Sequence, residues 1–283
     1  ETKFLGVVKA FAYGSDMIVI ARKLEQLGAD YLAVAYVSEG VLLREAGIQL
    51  PILVLHPLAS NFDDLIEYYL EPSIYSRNIL NQFLETAKLT KKTAYPVHIK
   101  FNTGLNRLGF SEADIDYIAE KTKNNGSIII VSALSHLAAS EDVNEREFSL
   151  KQISSFENLS NKLTEKLDYA PMRHMLNTSG IINYPEAQFE MVRSGIGLYG
   201  YGNQANVDAH LRPVATLKTV ISQIHQIDIN ESVGYNRAFK SNKPLKSATL
   251  PIGHADGIGR QYGKGKGFVT INNKKAPILG NVC

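Results

Sequence analysis

Cysteine occurs once, at Cys283, so no internal disulfide can form and a reducing, cytoplasmic setting is expected. Neither sign of charge is in excess. Lys and Arg number 30 against 28 Asp and Glu, a net charge of +2, so nothing calls for a nucleic acid or an anionic membrane as partner. No apolar run approaches the ~20 residues of a membrane helix, and no charged-then-apolar leader opens the chain. The histidines are scattered without a compact metal-ligand array. There is no Gly-x-Ser-x-Gly nucleophile elbow. The stretch Gly263-Lys264-Gly265-Lys266-Gly267 lacks the spacing of a phosphate loop. What remains is a folded chain of 283 residues, 45% hydrophobic, with room for a large α/β domain and a smaller one. It opens at Glu1 and stops at Gly280-Asn281-Val282-Cys283 within a strand-like pattern, which reads as a piece of a longer protein.

Short β-rich runs alternate with helical ones. Strands are expected at residues 4–8, 31–36, 51–55, 73–75, 97–101, 128–134, 172–176 and 191–193. Amphipathic helices are expected at 16–27, ending at Gly28, and at 38–46, opening on Ser38-Glu39 and ending at Gly47. Others follow at 61–70, 77–89, 112–123 and 144–167. Eight strands, each followed by a helix or short turn, suggest an α/β fold of the (β/α)8 TIM-like barrel type. A doubly wound open sheet is the alternative, because sequence does not show closure. Beyond Tyr199 the texture turns β-rich, at 214–228, 247–251 and 268–278, with turns at Asn272-Asn273 and the Gly/Lys stretch. The expected domains are a barrel over 1–209 and an incomplete all-β C-terminal domain over 210–283.

In a barrel the chemistry sits at the C-terminal ends of the strands, often with phosphate held after strands seven and eight. Lys9 ends the first apolar run. A strand-end amine in a partly desolvated pocket favours its neutral form, which can attack an aldehyde. Strand seven runs into Asn177-Thr178-Ser179-Gly180 and strand eight into Arg193-Ser194-Gly195-Ile196-Gly197, hydroxyl- and N–H-rich turns suited to an anion. Singly these are ordinary turn chemistry. Together with Lys9 they point to a phosphorylated cofactor.

The run Val8-Lys9-Ala10-Phe11-Ala12-Tyr13-Gly14 resembles the Val-Lys-Ala-x-Ala-Tyr-Gly motif of alanine racemases, fold-type III enzymes of pyridoxal 5'-phosphate (PLP). The resemblance implies that Lys9 carries the cofactor and that Tyr13 contacts it. Lys100-Phe101-Asn102-Thr103-Gly104-Leu105-Asn106-Arg107-Leu108-Gly109-Phe110 resembles the family's Lys-x-Asp-Thr-Gly-Met-x-Arg-Leu-Gly-Phe. By that likeness Arg107 meets the catalytic tyrosine and the substrate carboxylate, and Lys100 is the lysine often carbamylated to steady that arginine. Ser135-His136 places His136 against the cofactor ring. His174-Met175-Leu176-Asn177-Thr178 resembles His-x-x-Asn-Ser, with Thr178 keeping the hydroxyl. Val192-Arg193-Ser194-Gly195-Ile196 resembles Val-Arg-Pro-Gly-Ile, which implies that Arg193 faces the pyridine nitrogen and that Gly195 and Ile196 bind the cofactor. A guanidinium cannot protonate that nitrogen, which suits a short-lived carbanion.

Later motifs continue the resemblance. Ser232-Val233-Gly234-Tyr235-Asn236 resembles the segment carrying the racemase tyrosine base, supplied in the family across a homodimer interface. Pro251-Ile252-Gly253-His254-Ala255-Asp256-Gly257-Ile258-Gly259-Arg260 resembles Pro-x-Gly-Tyr-Ala-Asp-Gly-x-x-Arg, with His254 in place of an entrance tyrosine. Gly280-Asn281-Val282-Cys283 resembles Gly-Arg-Val-Cys, with Asn281 for an arginine, and Asn102 replaces an aspartate. The variants near Lys9 and His254 look similar to racemase modules fused behind a Mur-type peptidoglycan ligase. The implied function is interconversion of L- and D-alanine through a PLP external aldimine by two bases, Lys9 and Tyr235, supplying D-alanine for peptidoglycan. Alternatives are a non-catalytic PLP-binding barrel and a broader-specificity fold-type III racemase. Arg193, in place of an acidic partner for the ring nitrogen, argues against a decarboxylase.

Overall fold

Apolar runs of three to seven residues are too short for stable helices and form parallel strands that both faces of the chain can bury. A computed structural model describes residues 1–123 and 125–283. Its strands are β1 Lys3–Val7, β2 Tyr31–Val34, β3 Ile52–Val54, β4 Glu71–Ile74, β5 Tyr95–Lys100, β6 Ile128–Leu134, β7 Met172–His174 and β8 Met191–Ser194. They pair in parallel in the order β7-β6-β5-β4-β3-β2-β1-β8. β8 therefore returns beside β1, and Arg193 N donates to Leu176 O, just past β7, at 3.2 Å. The order has no mid-sheet reversal, which a doubly wound sheet requires. The sheet is a near-closed barrel.

The helices cover its outside. Asp16 caps Met17–Gln26, its carboxylate accepting from Ile18 N and Val19 N at 3.0 Å each, and Gly28 ends it at φ +80°. Arg77–Leu89 and Arg146–Leu167 bury one stripe each against the sheet. The helix expected at 61–70 is shortened to Phe62–Glu67, because Tyr69 turns to φ +51°. The one expected at 112–123 opens as a 3-10 turn, Glu112–Asp114, before Ile115–Lys123. The helix Val37–Glu45 starts one residue before the expected Ser38, and Glu39, not Ser38, folds back to accept from the N–H groups of Ala35 and Tyr36 just before it.

Side chains two apart on a strand share a face. Inside the barrel, Leu5, Val7, Tyr31, Ala33, Leu53 and Met191 form an apolar cluster. The inward positions of β5 to β8 are instead polar: His98, Ser132, His174 and Arg193 are all buried. Barrel interiors are filled by side chains rather than open, and here half the filling can titrate or donate hydrogen bonds.

The described chain divides after Ala215 into two units, Glu1–Ala215 and Thr216–Cys283. In the second, Gln223–Ile227 pairs antiparallel with Leu245–Thr249, and Phe268–Ile271 with Lys274–Pro277. The latter hairpin turns at Asn272 and Asn273, φ +49° and +61°, as a two-residue primed turn requires. The strand expected at 214–228 begins only at Gln223. Its partner ends at Thr249, so the residues before Gln223 have no ladder to join. Among the described residues no helix is long and apolar enough to cross a membrane.

Candidate active site

Two residues past β1, the backbone turns left-handed. Ala10, Phe11, Ala12 and Tyr13 all have φ between +51° and +56°. At roughly 1–2 kcal/mol per left-handed L-residue, four in a row cost on the order of 4–8 kcal/mol. Three features offset this. Ala12 is wholly buried, and the Tyr13 ring packs on Tyr199 with centroids 5.0 Å apart. The Glu39 carboxylate accepts from Ala10 N at 2.6 Å, and from Ala35 N at 2.7 Å and Tyr36 N at 3.3 Å. One buried carboxylate thus ties the strained turn after β1 to the loop after β2. Glu39→Ala leaves these N–H groups without their acceptor, and a loss of about 3 kcal/mol in urea unfolding is expected.

The turn delivers Lys9 and Tyr13 to a cleft of about 680 Å³. Its walls come from residues that follow β1, β2, β3, β5, β6, β7 and β8, the C-terminal end of the barrel. Lys9, Tyr13, Lys100, Arg107, His136, Asn177, Thr178, Arg193, Gly195 and Ile196 all line it. The lining therefore holds four lysine or arginine side chains and no carboxylate, which selects for an anion.

This charge shapes the titration of the site. Burial lowers the Lys9 amine below the ordinary lysine range, Arg107 and Arg193 lower it further, and Glu39 opposes them. Burial, followed by Arg107, Arg193 and Lys9, brings Lys100 down to about 8. His136 lies well below the usual imidazole range through burial, then Arg193 and the other cations, and its ring is neutral.

Arg193 is the most constrained of the four. Nη1 donates to His174 Nδ1 at 2.8 Å and His174 O at 2.9 Å; Nη2 donates to Ser135 O at 2.7 Å and Met175 O at 2.9 Å, with His136 Nδ1 at 3.1 Å. Nε–H has no protein partner among the described residues. His174 lies behind Arg193, outside the cleft lining. Burial pushes its imidazole well below 6.5, then Arg193 does, so it is neutral.

The turns after β7 and β8 meet at Thr178, whose Oγ1 accepts from Gly195 N at 3.3 Å and Gly197 N at 3.1 Å. A Cβ at Gly195 would lie 2.1 Å from the Tyr13 hydroxyl, so only glycine admits that tyrosine. Arg107 rides on a loop pinned at both ends. Phe110 N donates to Lys100 O at 2.8 Å and Asn102 N to Phe110 O at 2.9 Å. Asn102, which replaces an aspartate of the resembled motif, still accepts from Gly104 N and Asn106 N at 3.2 and 3.0 Å, the turn chemistry an aspartate would supply.

The other candidates lie in the second unit. Tyr235 is 76% exposed and opens a short turn with Asn236 at φ +56°. His254 N donates to Cys283 O at 2.6 Å, Arg260 begins the 3-10 turn Arg260–Tyr262, and Cys283 is exposed.

Sequence reasoning missed Tyr36 and His56, which also line the cleft, and Glu39, which shapes it. Only Glu39 left a signal, an acid in the first turn of a helix.

Comparison with known proteins matches residues 1–203 to the alanine racemase N-terminal domain and 214–283 to the alanine racemase C-terminal domain. Alanine racemase 1 of Clostridium acetobutylicum is 37% identical over 286 residues, covering 99% of this chain and 73% of that protein. The alanine racemase of Clostridium difficile 630 superposes with a TM-score of 0.88 at 31% identity, covering 100% of this chain and 74% of the other. The alanine racemase of Bartonella henselae, solved with covalently bound pyridoxal phosphate, gives 0.85 at 27% identity, covering 100% of this chain and 77% of the other. A near-closed barrel with a lysine among cations at its mouth, matched in both domains over the length of the chain, belongs to the alanine racemase family.

Proposed function

We propose that this protein interconverts L-alanine and D-alanine with pyridoxal 5'-phosphate in the barrel cleft, as a cytoplasmic source of D-alanine for peptidoglycan. One observation carries the reading: a lysine with a lowered pKa shares a carboxylate-free cleft with three other cations. The residues fit the cofactor. Thr178, Asn177, Tyr13 and the N–H of Ile196 beside Gly195 suit a phosphate, and the unpartnered Nε–H of buried Arg193 suits a neutral ring nitrogen. When bound, the cofactor supplies an aldehyde for amines and a conjugated ring that takes up the electron pair left by the alanine α-proton.

Lys9 supplies the reactive amine, which burial keeps accessible in its neutral form, and afterwards moves a proton at one face of the substrate. Tyr235 of a second copy of the chain serves the other face, and its exposure in the second unit leaves it available to another subunit. Arg107 holds the substrate carboxylate and meets the hydroxyl of that tyrosine. Lys100, brought to about 8, has enough neutral amine near neutrality to add carbon dioxide and release a proton, which would replace a cation beside Arg107 by an anion. His136, a neutral imidazole in the cleft lining, would hold the cofactor ring. His254, Arg260 and Cys283 belong to the substrate approach. The match of the second unit to the racemase C-terminal domain favours a racemase over a barrel that only carries PLP.

Proton exchange tests the two-base scheme. In D2O with added PLP, Tyr235→Phe should still exchange the α-proton of one alanine enantiomer with retention, while conversion to the other falls by about 10³-fold. Equal exchange from both enantiomers with unimpaired conversion would remove Tyr235 from the mechanism.

A further inference from the structure

Beneath the cleft, a line of buried hydrogen bonds crosses the barrel interior. Arg193 Nη1 meets His174 Nδ1 at 2.8 Å, and His174 Nε2 meets Ser132 Oγ at 2.9 Å. Ser132 Oγ meets His98 Nδ1 at 2.6 Å, and His98 Nε2 meets Glu71 Oε2 at 2.7 Å. His98, Ser132 and His174 are fully buried. Glu71 opens β4, at the end of the barrel away from the cleft.

The direction of every hydrogen follows from one end. A guanidinium only donates, so His174 Nδ1 is a bare acceptor and the neutral ring carries its hydrogen on Nε2. That hydrogen points to Ser132 Oγ. Ser132 has no acceptor among the described residues other than His98, so its own hydrogen goes to His98 Nδ1. His98 is then bare at Nδ1 and protonated at Nε2, where it donates to Glu71. A doubly protonated His98 would form a better ion pair with Glu71. It would also leave a buried hydroxyl hydrogen with nothing to donate to, at a cost of about 1–3 kcal/mol.

The charges balance across the same line. Arg193 is buried with no carboxylate in contact; its acceptors are carbonyls and imidazoles. The Glu71 carboxylate is reached only through the polarised chain, which carries part of its field to the guanidinium. The other groups facing His98 and Glu71 are Tyr31 from β2, its ring edge-on to His98 at 5.9 Å, and the more distant Arg44 and Tyr95. Burial, then the nearby Glu71 charge, push the Tyr31 phenol up, so it stays protonated.

We propose that Glu71 is a positioning residue: it is the terminal acceptor of a one-way relay through His98, Ser132 and His174 that holds Arg193 in place at the cleft. The tautomers stand independently of the proposed function; only the effect on turnover rests on it.

The test is long-range 1H–15N NMR of the PLP-loaded protein labelled in histidine, between about pH 6 and pH 8, across the ordinary imidazole range. His98 and His174 should each show the hydrogen on Nε2 and a bare Nδ1 at neutral pH. Ser132→Ala removes the donor to His98 Nδ1, and the 15N shift of that nitrogen should then move. Glu71→Gln keeps an acceptor for Nε2–H and should preserve both tautomers. Glu71→Leu should lower kcat about fivefold with KM little changed, and Glu71→Gln should recover most of the loss. A doubly protonated His98 at neutral pH in the unaltered protein overturns the relay. So does a His98 that ignores Ser132→Ala. A kcat unmoved by Glu71→Leu overturns the positioning role. If Glu71→Leu does not fold, Ser132→Ala must lower kcat alike, and an unchanged value overturns that role equally. Correct tautomers in a protein that racemises no amino acid would count against the proposed function and leave the relay standing.

Discussion

Lys9→Ala should lower D-alanine formation by at least about 10³-fold and abolish covalent attachment of pyridoxal phosphate, read by mass spectrometry after borohydride reduction. No other lysine of the cleft can substitute. Lys100 is carried on β5 among the cations that lower its amine, and its backbone carbonyl closes the Arg107 loop. The variant should not lose stability, because the group removed is a partly desolvated cation beside Arg107 and Arg193. The pH dependence has a definite sign. A lysine whose folded pKa is lowered releases a proton on folding, so the unfolded chain binds more protons in the window between the two values. For Lys100 that window runs from about 8 to 10.5, and stability rises with pH across it. Lys9 contributes in the same direction, so the slope of unfolding free energy against pH should be smaller in Lys9→Ala. Lysine attachment retained in that variant would place the cofactor elsewhere.

Arg193→Leu should be the most destabilising change in the barrel, by about 3–5 kcal/mol in urea unfolding, with racemisation lost. The guanidinium is the donor for three buried carbonyls, those of Ser135, His174 and Met175, and for His174 Nδ1. Leucine leaves Ser135 O, Met175 O and His174 Nδ1 without this donor, and His174 O with Ser135 N at 3.2 Å. Its removal also strips the relay of the fixed donor that sets the tautomers of His174 and His98. Arg193→Lys should recover little, because one ammonium cannot span acceptors arranged for a planar fork. A stability close to that of the unaltered protein would mean that water replaces the guanidinium, and that the buried network is less closed than the distances indicate.

The strands were legible because apolar runs bounded by turns have few other outcomes in an alternating β/α chain, and Lys9 because it ends such a run; Arg107 and Arg193 were singled out by the resemblance of their segments to racemase motifs, and both line the cleft. The left-handed turn was not. Ala10-Phe11-Ala12-Tyr13 contains no glycine, and its local preference is right-handed. The opposite hand is held by Glu39 and by the Tyr13–Tyr199 contact, from residues 29 and 186 positions away along the chain. The relay was hidden for a similar reason. His98, Ser132 and His174 sit on three strands far apart in the chain, and only the pairing of β5 with β6 and of β6 with β7 makes them neighbours. Glu71 at the start of β4 carries no local sign that it faces a histidine of β5. The strand expected before Gln223 failed for want of a partner, which composition does not reveal.

The most direct test of the account is chiral chromatography of L-alanine incubated with this protein and PLP, with Lys9→Ala run alongside. The account predicts D-alanine approaching an equal mixture with the unaltered protein and none above background with the variant. D-alanine formed equally by both, or a PLP-loaded protein that binds alanine and leaves its configuration unchanged, would contradict it.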